Sequence, residues 1–376
     1  MNLTLPHRDS GFSFLVRNIV AQENRFQKPF GILEDAIAAR VFPACAVAVT
    51  FQGELVAHKA MGRFTYERAS AEVTTSTLFD LASVTKVVAT TGMAMILYER
   101  GLLDLEAPVT AIVPEFAGED PRRREVTLRM LLAHSSGMPA YVRLFLRAKT
   151  REELLRLAFA TEVTADPGVR AEYSDIGFIV FGIALERLAD ESLGVFCQRE
   201  IFGPLGMMHT TFNPVRASKD AIPPTTDDRT FRHRVIQGEV QDENAFVMGG
   251  VAGHAGLFST ADDLAIFAHA MLNGGRPIVR RDTVELFSHR EARPEGTSRA
   301  LGWDTPSALS QSGKYFSPRS FGHLGYTGTS LWIDPGRQLS ITLLTNRTWP
   351  DCQNQAVKQV RPAFHDAVME VLGMNT

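Results

Sequence analysis

Compact apolar runs lie near both ends of the chain, separated by a long middle section with helical spacing. Near the N-terminus, residues 32–39 have the spacing of a helix, and Ala44–Phe51 forms a short apolar run. The turn signal Gln52-Gly53 follows this run, and the chain returns as a second β-type run over Glu54–Ala60. This part of the sequence therefore predicts a helix followed by a β-hairpin.

The C-terminal end of the chain has the same character. Ser330–Asp334 and Leu339–Asn346 are apolar runs that flank the turn signal Pro335-Gly336, and they predict a second pair of strands. A final helix is predicted at about residues 355–372. Strands from both ends of the sequence can pair in one antiparallel sheet, with the helices packed on it.

The middle of the chain is predicted to be helical with loops. One helix begins near Ser83, and Gly101 lies just past its end as a C-cap. Residues 213–245 are polar and contain prolines, which indicates a long connection of the kind that often carries function. Four further stretches have helical spacing: Leu128–Ala133, Arg151–Ala160, Gly177–Leu188 and Asp262–Leu272.

These elements predict an α/β protein of the α+β type with two lobes. Residues 1–75 and 290–376 would form the sheet lobe, beginning with a docked N-terminal arm, and residues 76–289 would form an inserted, mostly helical lobe. The chain of 376 residues is long enough for two or three domains of ordinary size. A cleft between two lobes is the natural place for a ligand.

Composition and charge exclude several classes of partner. The net charge is −3, so the basic surface expected of a protein that binds nucleic acid or anionic lipid is missing. The longest apolar run, Phe178–Leu185, is too short to span a bilayer, and the first twenty residues lack the pattern of a signal peptide. The three cysteines form neither a disulfide framework nor a metal clip, and HExxH and HxHxD are absent. We therefore expect a cytoplasmic protein that uses no metal and no cofactor.

The first candidate for chemistry is the run Ser83-Val84-Thr85-Lys86 at the predicted start of a helix. Positions three apart share one face of a helix, so the lysine ammonium would lie one turn above the serine hydroxyl. The unpaired N–H groups and positive dipole of a helix N-terminus stabilise an alkoxide, and a desolvated lysine can act as a base. Taken alone, the run also fits a serine N-cap followed by an unrelated lysine.

Two further runs contain candidate groups. Tyr173 and Asp175 precede an apolar helix, and a tyrosine near a lysine ammonium has a lowered pKa that suits it to proton transfer. The alternative is a half-buried tyrosine with Asp175 as the helix N-cap. Residues 322–330 are rich in glycine, which permits close approach of a substrate and can aim a backbone N–H at an oxyanion. The alternative there is a glycine-rich turn with a surface histidine.

The three runs read S-x-x-K at residue 83, Y-S-D at residue 173 and H-L-G at residue 323. A β-lactamase or penicillin-binding site needs S-x-x-K, an S-D-N-type triplet and K-T-G in this order. The chain thus resembles the serine β-lactamase and penicillin-binding-protein superfamily. It is most similar to the branch of class C β-lactamases, D-alanyl-D-alanine carboxypeptidases and family VIII carboxylesterases, whose second motif is Y-x-N. Similar segments extend over nearly the whole chain, at residues 79–83, 101–105, 131–138, 203–207 and 259–264.

The resemblance implies a β-lactamase/transpeptidase-like fold and a role for each matching residue. Ser83 would be the acylated nucleophile, Lys86 its proton partner and Tyr173 the second base. The backbone N–H groups of Ser83 and Tyr326 would form the oxyanion hole. These roles describe a hydrolase that passes through an acyl-enzyme.

Two positions depart from the family pattern. Asp175 stands where the family has asparagine, so a group that donates and accepts becomes an anion. His323 stands in place of the lysine of K-T-G, and it should be mostly neutral near pH 7.5 unless a carboxylate such as Asp175 lies close. Both residues and Gly325 are expected to bind substrate.

The segment of residues 241–258 is unusually rich in glycine for a helical region. One interpretation is a tight loop that caps the helix at Asp262. The other is a substrate-binding wall that includes His254, because the segment resembles those of cell-wall-recycling amidases of the superfamily. Those enzymes cut the lactyl-ether sugar acid from the stem peptide of peptidoglycan fragments.

The sequence therefore predicts a serine hydrolase acting on a small-molecule ester or amide, with a β-lactamase-like carboxylesterase as the first choice. The alternatives are an N-acetylmuramyl-L-alanine amidase-like enzyme acting on muropeptides, a β-lactamase and a D-alanyl-D-alanine carboxypeptidase. The last two work outside the cytoplasm, which the predicted lack of export disfavours. A ligand-sensing homologue without catalysis should lack one of the motif side chains, whereas Ser83, Lys86 and Tyr173 are all present.

Overall fold

The computed structural model describes residues 24–214 and 221–374, so the expected N-terminal arm before residue 24 lies outside the described residues. The strands of the described chain are β1 (Ala44–Phe51), β2 (Glu54–Gly62), β3 (Phe79–Asp80), β4 (Thr211–Phe212), β5 (Thr226–Asp228), β6 (Arg234–Ile236), β7 (Leu257–Ser259), β8 (Phe321–Leu324), β9 (Ser330–Asp334) and β10 (Leu339–Thr345). They form a five-stranded sheet and two smaller ones.

Along the sequence, most α-helices of the described residues occur between β2 and β8. The helices are α1 (Gln27–Ala38), α2 (Gly92–Glu99), α3 (Val109–Ile112), α4 (Leu128–Leu132), α5 (Arg151–Ala160), α6 (Asp175–Ala189), α7 (Leu193–Cys197), α8 (Gly203–Leu205), α9 (Glu243–Val247), α10 (Ala261–Leu272), α11 (Arg281–Ser288) and α12 (Val357–Val371). Short 3₁₀ turns occur at Ala82–Val84, Pro114–Phe116, Pro121–Glu125 and Leu144–Leu146, and wider π-type turns at Lys86–Thr91 and Gln198–Phe202.

The five-stranded sheet confirms the predicted pairing of the two ends of the chain. Its order is β2-β1-β10-β9-β8, with every neighbouring pair antiparallel. Strand β1 pairs along its length with β10, from Cys45 opposite Thr345 to Phe51 opposite Leu339. The hairpin of β1 and β2 turns at Gln52 and Gly53, where the sequence placed it.

Both faces of this sheet are covered, which explains why β1 is apolar at nearly every position. Successive side chains of a strand point to opposite faces. Ala44, Ala46 and Ala48 join the large core of the helical region, whereas Cys45, Val47 and Val49 join a second core. Helices α1 and α12 pack together over the second core, and α10 packs on the other face of the sheet.

Several short elements were not expected from the sequence. Strands β3, β7 and β4 form a small sheet inside the predicted helical region. The predicted connection of residues 213–245 contains the hairpin of β5 and β6 and the start of α9. Strands of two or three residues are too short to show a hydrophobic period, so the pattern could not predict them. The division of the chain into lobes at residues 76 and 289 stays a prediction.

The sequence also predicted that the chain has no membrane-spanning run and no disulfide framework. Among the described residues, no helix combines the length and the apolar character needed to cross a bilayer. The three cysteines are free: Cys45 and Cys197 are buried, and Cys352 is exposed.

Candidate active site

Ser83 lies at a sharp turn between the short strand β3 and the helical segment that leads into α2. It sits in the 3₁₀ turn Ala82–Val84, directly before the π-type turn that continues into α2. Ala82 has φ of +46°, a left-handed conformation that costs a non-glycine residue about 1–2 kcal/mol. The Asp80 carboxylate accepts a hydrogen bond from the Ala82 N–H at 2.8 Å and holds this turn. The turn presents the Ser83 hydroxyl to a cleft.

Lys86 follows one turn later, and its side chain is fully buried. Its Nζ donates to Ser83 Oγ at 2.9 Å, to Asp175 Oδ1 at 2.6 Å and to the His254 carbonyl at 2.9 Å. An ammonium has three protons to donate, so these three acceptors saturate it. Burial lowers the pKa of Lys86, and the Asp175 carboxylate opposes that shift.

Tyr173 completes a ring of hydrogen bonds with the serine and the carboxylate. Its hydroxyl lies 2.6 Å from Ser83 Oγ and donates to Asp175 Oδ1 at 3.0 Å. Because an ionised carboxylate only accepts, the tyrosine proton belongs to this second bond, and Ser83 donates to the tyrosine oxygen. The hydrogen bonds therefore run from Ser83 through Tyr173 to Asp175, and Lys86 closes the ring by donating to both Asp175 and Ser83.

The expected effect of the lysine on Tyr173 is wrong. Burial, and then the charge of the Asp175 carboxylate, raise the pKa of Tyr173 well above its ordinary value. The sequence showed a nearby lysine and a nearby aspartate but not which one the phenol contacts. Burial of the phenol and its hydrogen bond to Asp175 determine that the pKa of Tyr173 rises.

The segment that carries Tyr173 is fixed by its neighbours. Ser174, rather than Asp175, is the N-cap of α6, because its Oγ accepts from the Gly177 N–H at 2.9 Å. The Ser174 N–H donates to His134 Nδ1 at 3.0 Å, and its hydroxyl donates to the Pro139 carbonyl at 2.7 Å. With the cap supplied by Ser174, Asp175 is free to bind Lys86 and Tyr173.

The glycine-rich segment packs between helix α6 and the helical segment that follows Ser83. A Cβ on Gly253 would meet the Phe178 carbonyl at 2.3 Å and the Gly182 Cα at 2.9 Å, so a side chain there has no room. Thr90 Oγ1 donates to the Gly253 carbonyl at 2.7 Å. This close approach brings the His254 carbonyl to Lys86.

His254 lines the cleft, and its role in binding substrate stays a prediction. Its Nε2 lies 2.8 Å from Asp242 Oδ1, and Asp242 also caps α9. The loop is not the cap of the helix at Asp262, because Thr260 is the N-cap of α10.

The turn after β8 is tied to the chain that precedes Ser83. Thr327 Oγ1 donates to the Asp80 carbonyl at 2.7 Å, and Thr329 Oγ1 donates to the Leu81 carbonyl at 2.9 Å. A Cβ on Gly325 would lie 2.5 Å from the Leu81 carbonyl, so this close approach requires glycine. Gly325 and Tyr326 thereby line the same cleft as Ser83.

His323 is buried beside Tyr173, with 6.0 Å between the ring centroids. Its Nδ1 lies 2.8 Å from the Leu324 carbonyl, so Nδ1 carries the proton and Nε2 is an acceptor. Burial and the positive charges of Lys86 and Arg299 lower the pKa of His323 well below its ordinary value. A neutral His323 agrees with the expectation from the sequence.

Arg299, which no sequence motif identified, also lines the cleft. Its guanidinium carbon lies 5.6 Å from the centroid of the Tyr173 ring, and Nη1 lies 3.7 Å from Asp304 Oδ2. The positive charge of Arg299 lowers the pKa values of His323 and of Lys86. Arg299 stands outside the three motifs, and it reaches the site through the fold alone.

The cleft has a volume of about 1280 Å³, and its lining residues lie between Ala82 and Arg361 in the sequence. Its outer rim carries exposed Leu309 and Leu146 and charged residues that include Arg143, Arg229 and Glu243. Within residues 24–214 and 221–374, no group of three or more side chains is arranged to hold a metal ion.

Comparisons with known proteins agree with this fold. The Beta-lactamase family model matches residues 31–360. N-acetylmuramyl-L-alanine amidase of Bacillus subtilis (strain 168) is 33% identical over 360 aligned positions, covering 86% of this chain and 81% of that protein. The putative D-alanyl-D-alanine carboxypeptidase of Escherichia coli (strain K12) is 31% identical over 343 positions, covering 81% of this chain and 79% of that protein.

Solved structures confirm the fold class. EstCE1, a hydrolase with promiscuous acyltransferase activity, superposes with a TM-score of 0.77 at 21% identity, covering 93% of this chain and 99% of that chain. A class C beta lactamase from Rhodobacter sphaeroides gives a TM-score of 0.71 at 21% identity, with 92% and 99% covered. The predicted β-lactamase/transpeptidase-like fold is therefore correct.

Proposed function

The chain belongs to the beta-lactamase family, and on that premise we propose that it is a serine hydrolase that forms an acyl-enzyme on Ser83. We propose further that it cleaves an amide between a sugar acid and a peptide. The observation that carries the chemistry is the ring of hydrogen bonds among Ser83, Tyr173, Asp175 and Lys86. It joins a nucleophile to a proton acceptor and a fixed cation.

In acylation, Ser83 Oγ forms a bond to the carbonyl carbon, and the carbonyl π electrons move to oxygen. The serine proton passes to the Tyr173 oxygen while Tyr173 passes its own proton to Asp175. The high pKa of Tyr173 means that the phenol relays a proton rather than waiting as a phenolate. Lys86, which donates to Ser83 Oγ at 2.9 Å, stabilises the negative charge that develops there.

Collapse of the tetrahedral intermediate breaks the C–N bond. The leaving amine takes a proton from Tyr173, which recovers one from Asp175. Water then attacks the acyl carbon and gives a proton to Tyr173, which passes its own to Asp175. When the C–O bond to Ser83 breaks, Ser83 takes a proton from Tyr173, and Tyr173 recovers one from Asp175, which restores the resting state. The N–H groups of Ser83 and Tyr326 would bind the oxyanion in both halves.

The substrate class is supported by the cleft and by one relative. A cleft of about 1280 Å³ with charged rim residues such as Arg143, Arg229 and Glu243 suits a ligand larger and more polar than a short-chain ester. The Bacillus subtilis relative is named N-acetylmuramyl-L-alanine amidase. Both observations favour a muropeptide as substrate, with the carbonyl carbon of its sugar acid at Ser83.

A carboxylesterase is the second candidate. Leu309 and Leu146 are 90% and 62% exposed at the rim of the cleft, and an apolar acyl or alcohol group would cover them. The alcohol of an ester is a better leaving group than the amine of an amide. An ester is therefore expected to react at this site whatever the natural substrate is.

Turnover of an N-acetylmuramyl-L-alanyl peptide and of p-nitrophenyl butyrate, with mass spectrometry of Ser83, tests the proposal. Both substrates should acylate Ser83, and the peptide should be released with a free alanine amino group. Ser83→Ala should lose at least about 10⁴-fold in turnover. The exposed Ser76 supplies a control, since Ser76→Ala should behave as the parent. Turnover of the ester alone would support the esterase, and a Ser83→Ala variant within tenfold of the parent would overturn the nucleophile.

A further inference from the structure

Arg361 of helix α12 is a buried cation whose hydrogen-bond partners are neutral oxygen atoms, most of them peptide carbonyls. It is 4% exposed, and its Nη2 donates to the Gly325 carbonyl at 2.7 Å and to the Thr329 carbonyl at 3.1 Å. Its Nη1 donates to Gln311 Oε1 at 2.9 Å. No carboxylate in the described part of the chain forms an ion pair with it. A buried cation of this kind directs its charge onto the carbonyls that it binds.

The Gly325 carbonyl belongs to the same peptide unit as the Tyr326 N–H. A trans peptide is planar, and its C=O and N–H point in opposite directions. A guanidinium fixed on the oxygen therefore sets the direction of the N–H. It also draws electron density toward the oxygen, which makes the N–H a stronger donor.

Arg347 holds the next peptide unit of the same turn. Its Nε donates to the Tyr326 carbonyl at 2.6 Å, and its guanidinium carbon lies 4.4 Å from the centroid of the Tyr326 ring. The Gly328 N–H closes the turn by donating to the Gly325 carbonyl at 3.1 Å. The backbone on both sides of Tyr326 is thus bound by arginine.

We propose that Arg361 is a positioning residue that aims and polarises the Tyr326 N–H toward the oxyanion, with Arg347 holding the other side of the turn. The inference rests on the proposed function, because it requires a reaction in which the carbonyl π electrons move to oxygen as Ser83 attacks. No proton moves to or from Arg361. Arg361 borders the cleft, but its hydrogen bonds go to the turn and to Gln311, not to Ser83, so we infer that it acts through the Gly325–Tyr326 peptide.

Burial and the neighbouring charge of Arg347 lower the pKa of Arg361 to about 9. The guanidinium therefore still carries its charge at pH 7.5, where the assays are made.

The test compares Arg361→Met and Arg361→Lys with a matched control elsewhere in the fold. Arg123 is also 4% exposed, and it also donates to peptide carbonyls, those of Phe116, Phe159 and Thr161. Arg123→Met removes a similar buried arginine without touching the turn of Tyr326. The measurements are kcat and KM for p-nitrophenyl butyrate, the rate of Ser83 labelling by an aryl phosphonate, and the affinity for a boronic acid that forms a tetrahedral adduct.

Removing an oxyanion donor costs about 10²–10³-fold in kcat, and weakening one should cost less. Arg361→Met should lose about 10- to 100-fold in kcat, in the labelling rate and in boronate affinity, with KM within about threefold of the parent. Arg361→Lys, which keeps a cation of different shape, should have values between those of Arg361→Met and the parent. Arg123→Met should lower the melting temperature and leave these kinetic values unchanged.

A kcat of Arg361→Met within twofold of the parent, at a temperature where circular dichroism shows the native fold, would overturn the inference. If that variant does not fold, Arg361→Lys and Arg347→Met carry the same comparison, and unchanged boronate affinity in both would also overturn it. A phosphonate that fails to label Ser83 in the parent would refute the proposed function instead. The two failures are therefore distinguishable.

Discussion

The Asp175→Asn substitution restores the residue expected from the family pattern and tests the proton relay directly. The amide still accepts a hydrogen bond, but it cannot take the proton that Tyr173 passes on. A general base contributes about 10²–10⁴-fold to a rate. We therefore expect kcat for p-nitrophenyl butyrate to fall by about that factor at pH 7.5, with KM little changed.

The same substitution removes the counter-ion of Lys86, and the structure gives the scale of the effect. At the Nζ–Oδ1 distance of 2.6 Å, the Coulomb attraction is about 6 kcal/mol at an effective dielectric constant near 20. Lost hydration of both ions offsets much of it, and the Asp175 side chain is 16% exposed. We expect a loss of about 3 kcal/mol in the free energy of unfolding, the low end for a broken buried pair.

The sign of the pH dependence follows from the lowered pKa of Lys86. A buried lysine with a lowered pKa costs stability while it is charged, and the cost disappears as pH rises toward its ordinary pKa of 10.5. Without the carboxylate, the pKa of Lys86 falls further. The difference in melting temperature between Asp175→Asn and the parent should therefore shrink from pH 7 to pH 9.5.

Asp263→Asn provides the matched control, because Asp263 is also a buried acceptor. It binds the His209 N–H and the Thr210 hydroxyl, both at 2.8 Å, outside the cleft. Burial raises the pKa of Asp263, so removing its charge should cost little. Asp263→Asn should keep kcat within threefold of the parent. If Asp175→Asn also keeps kcat within threefold, then Lys86 takes the serine proton and the proposed relay through Tyr173 is wrong.

Two further predictions concern the same wall of the cleft. Tyr173→Phe should lower kcat by about 10²-fold or more with KM nearly unchanged, because the phenol moves protons only in the transition state, and a rise in KM alone would make Tyr173 a binding residue. Penicillins should have lower kcat/KM than p-nitrophenyl butyrate at pH 7.5, because a neutral His323 forfeits a charge-assisted hydrogen bond to their carboxylate worth about 1.5–3 kcal/mol. Since the pKa of His323 is well below its ordinary value, lowering the pH to 6 should not improve penicillin binding. A higher kcat/KM for a penicillin than for p-nitrophenyl butyrate would indicate that Arg299 binds the carboxylate.

Local signals in the sequence predicted the main sheet and the motif residues. The apolar runs at Ala44–Phe51 and Leu339–Asn346 were long enough to identify β1 and β10, whose pairing the structure confirms. Strand β3 has two residues and carries no period, although it leads directly into Ser83. Its conformation depends on pairing with β7, which tertiary structure alone provides.

The residues that sequence reasoning missed act through contacts between distant parts of the chain. Arg361 reaches the Gly325 carbonyl from 36 positions away, and Arg299 lies near Tyr173 without any fixed spacing. The pKa of Tyr173 was mispredicted for a related reason, since its direction depends on burial and on which charge is closest. Patterns report residue types and order, whereas the electrostatics of a site depends on distances.

The position of β10 between β1 and β9 has a consequence for how the protein is made. Strand β1 leaves the ribosome long before its partner strand β10, which comes from residues 339–345. Until then β1 and β2 form an isolated hairpin, which is marginal in water and exposes an apolar edge. The turn of Tyr326 and its arginine on α12 are also made late. The growing chain is therefore expected to stay catalytically inactive, and to need protection from aggregation, until β8, β9 and β10 are complete.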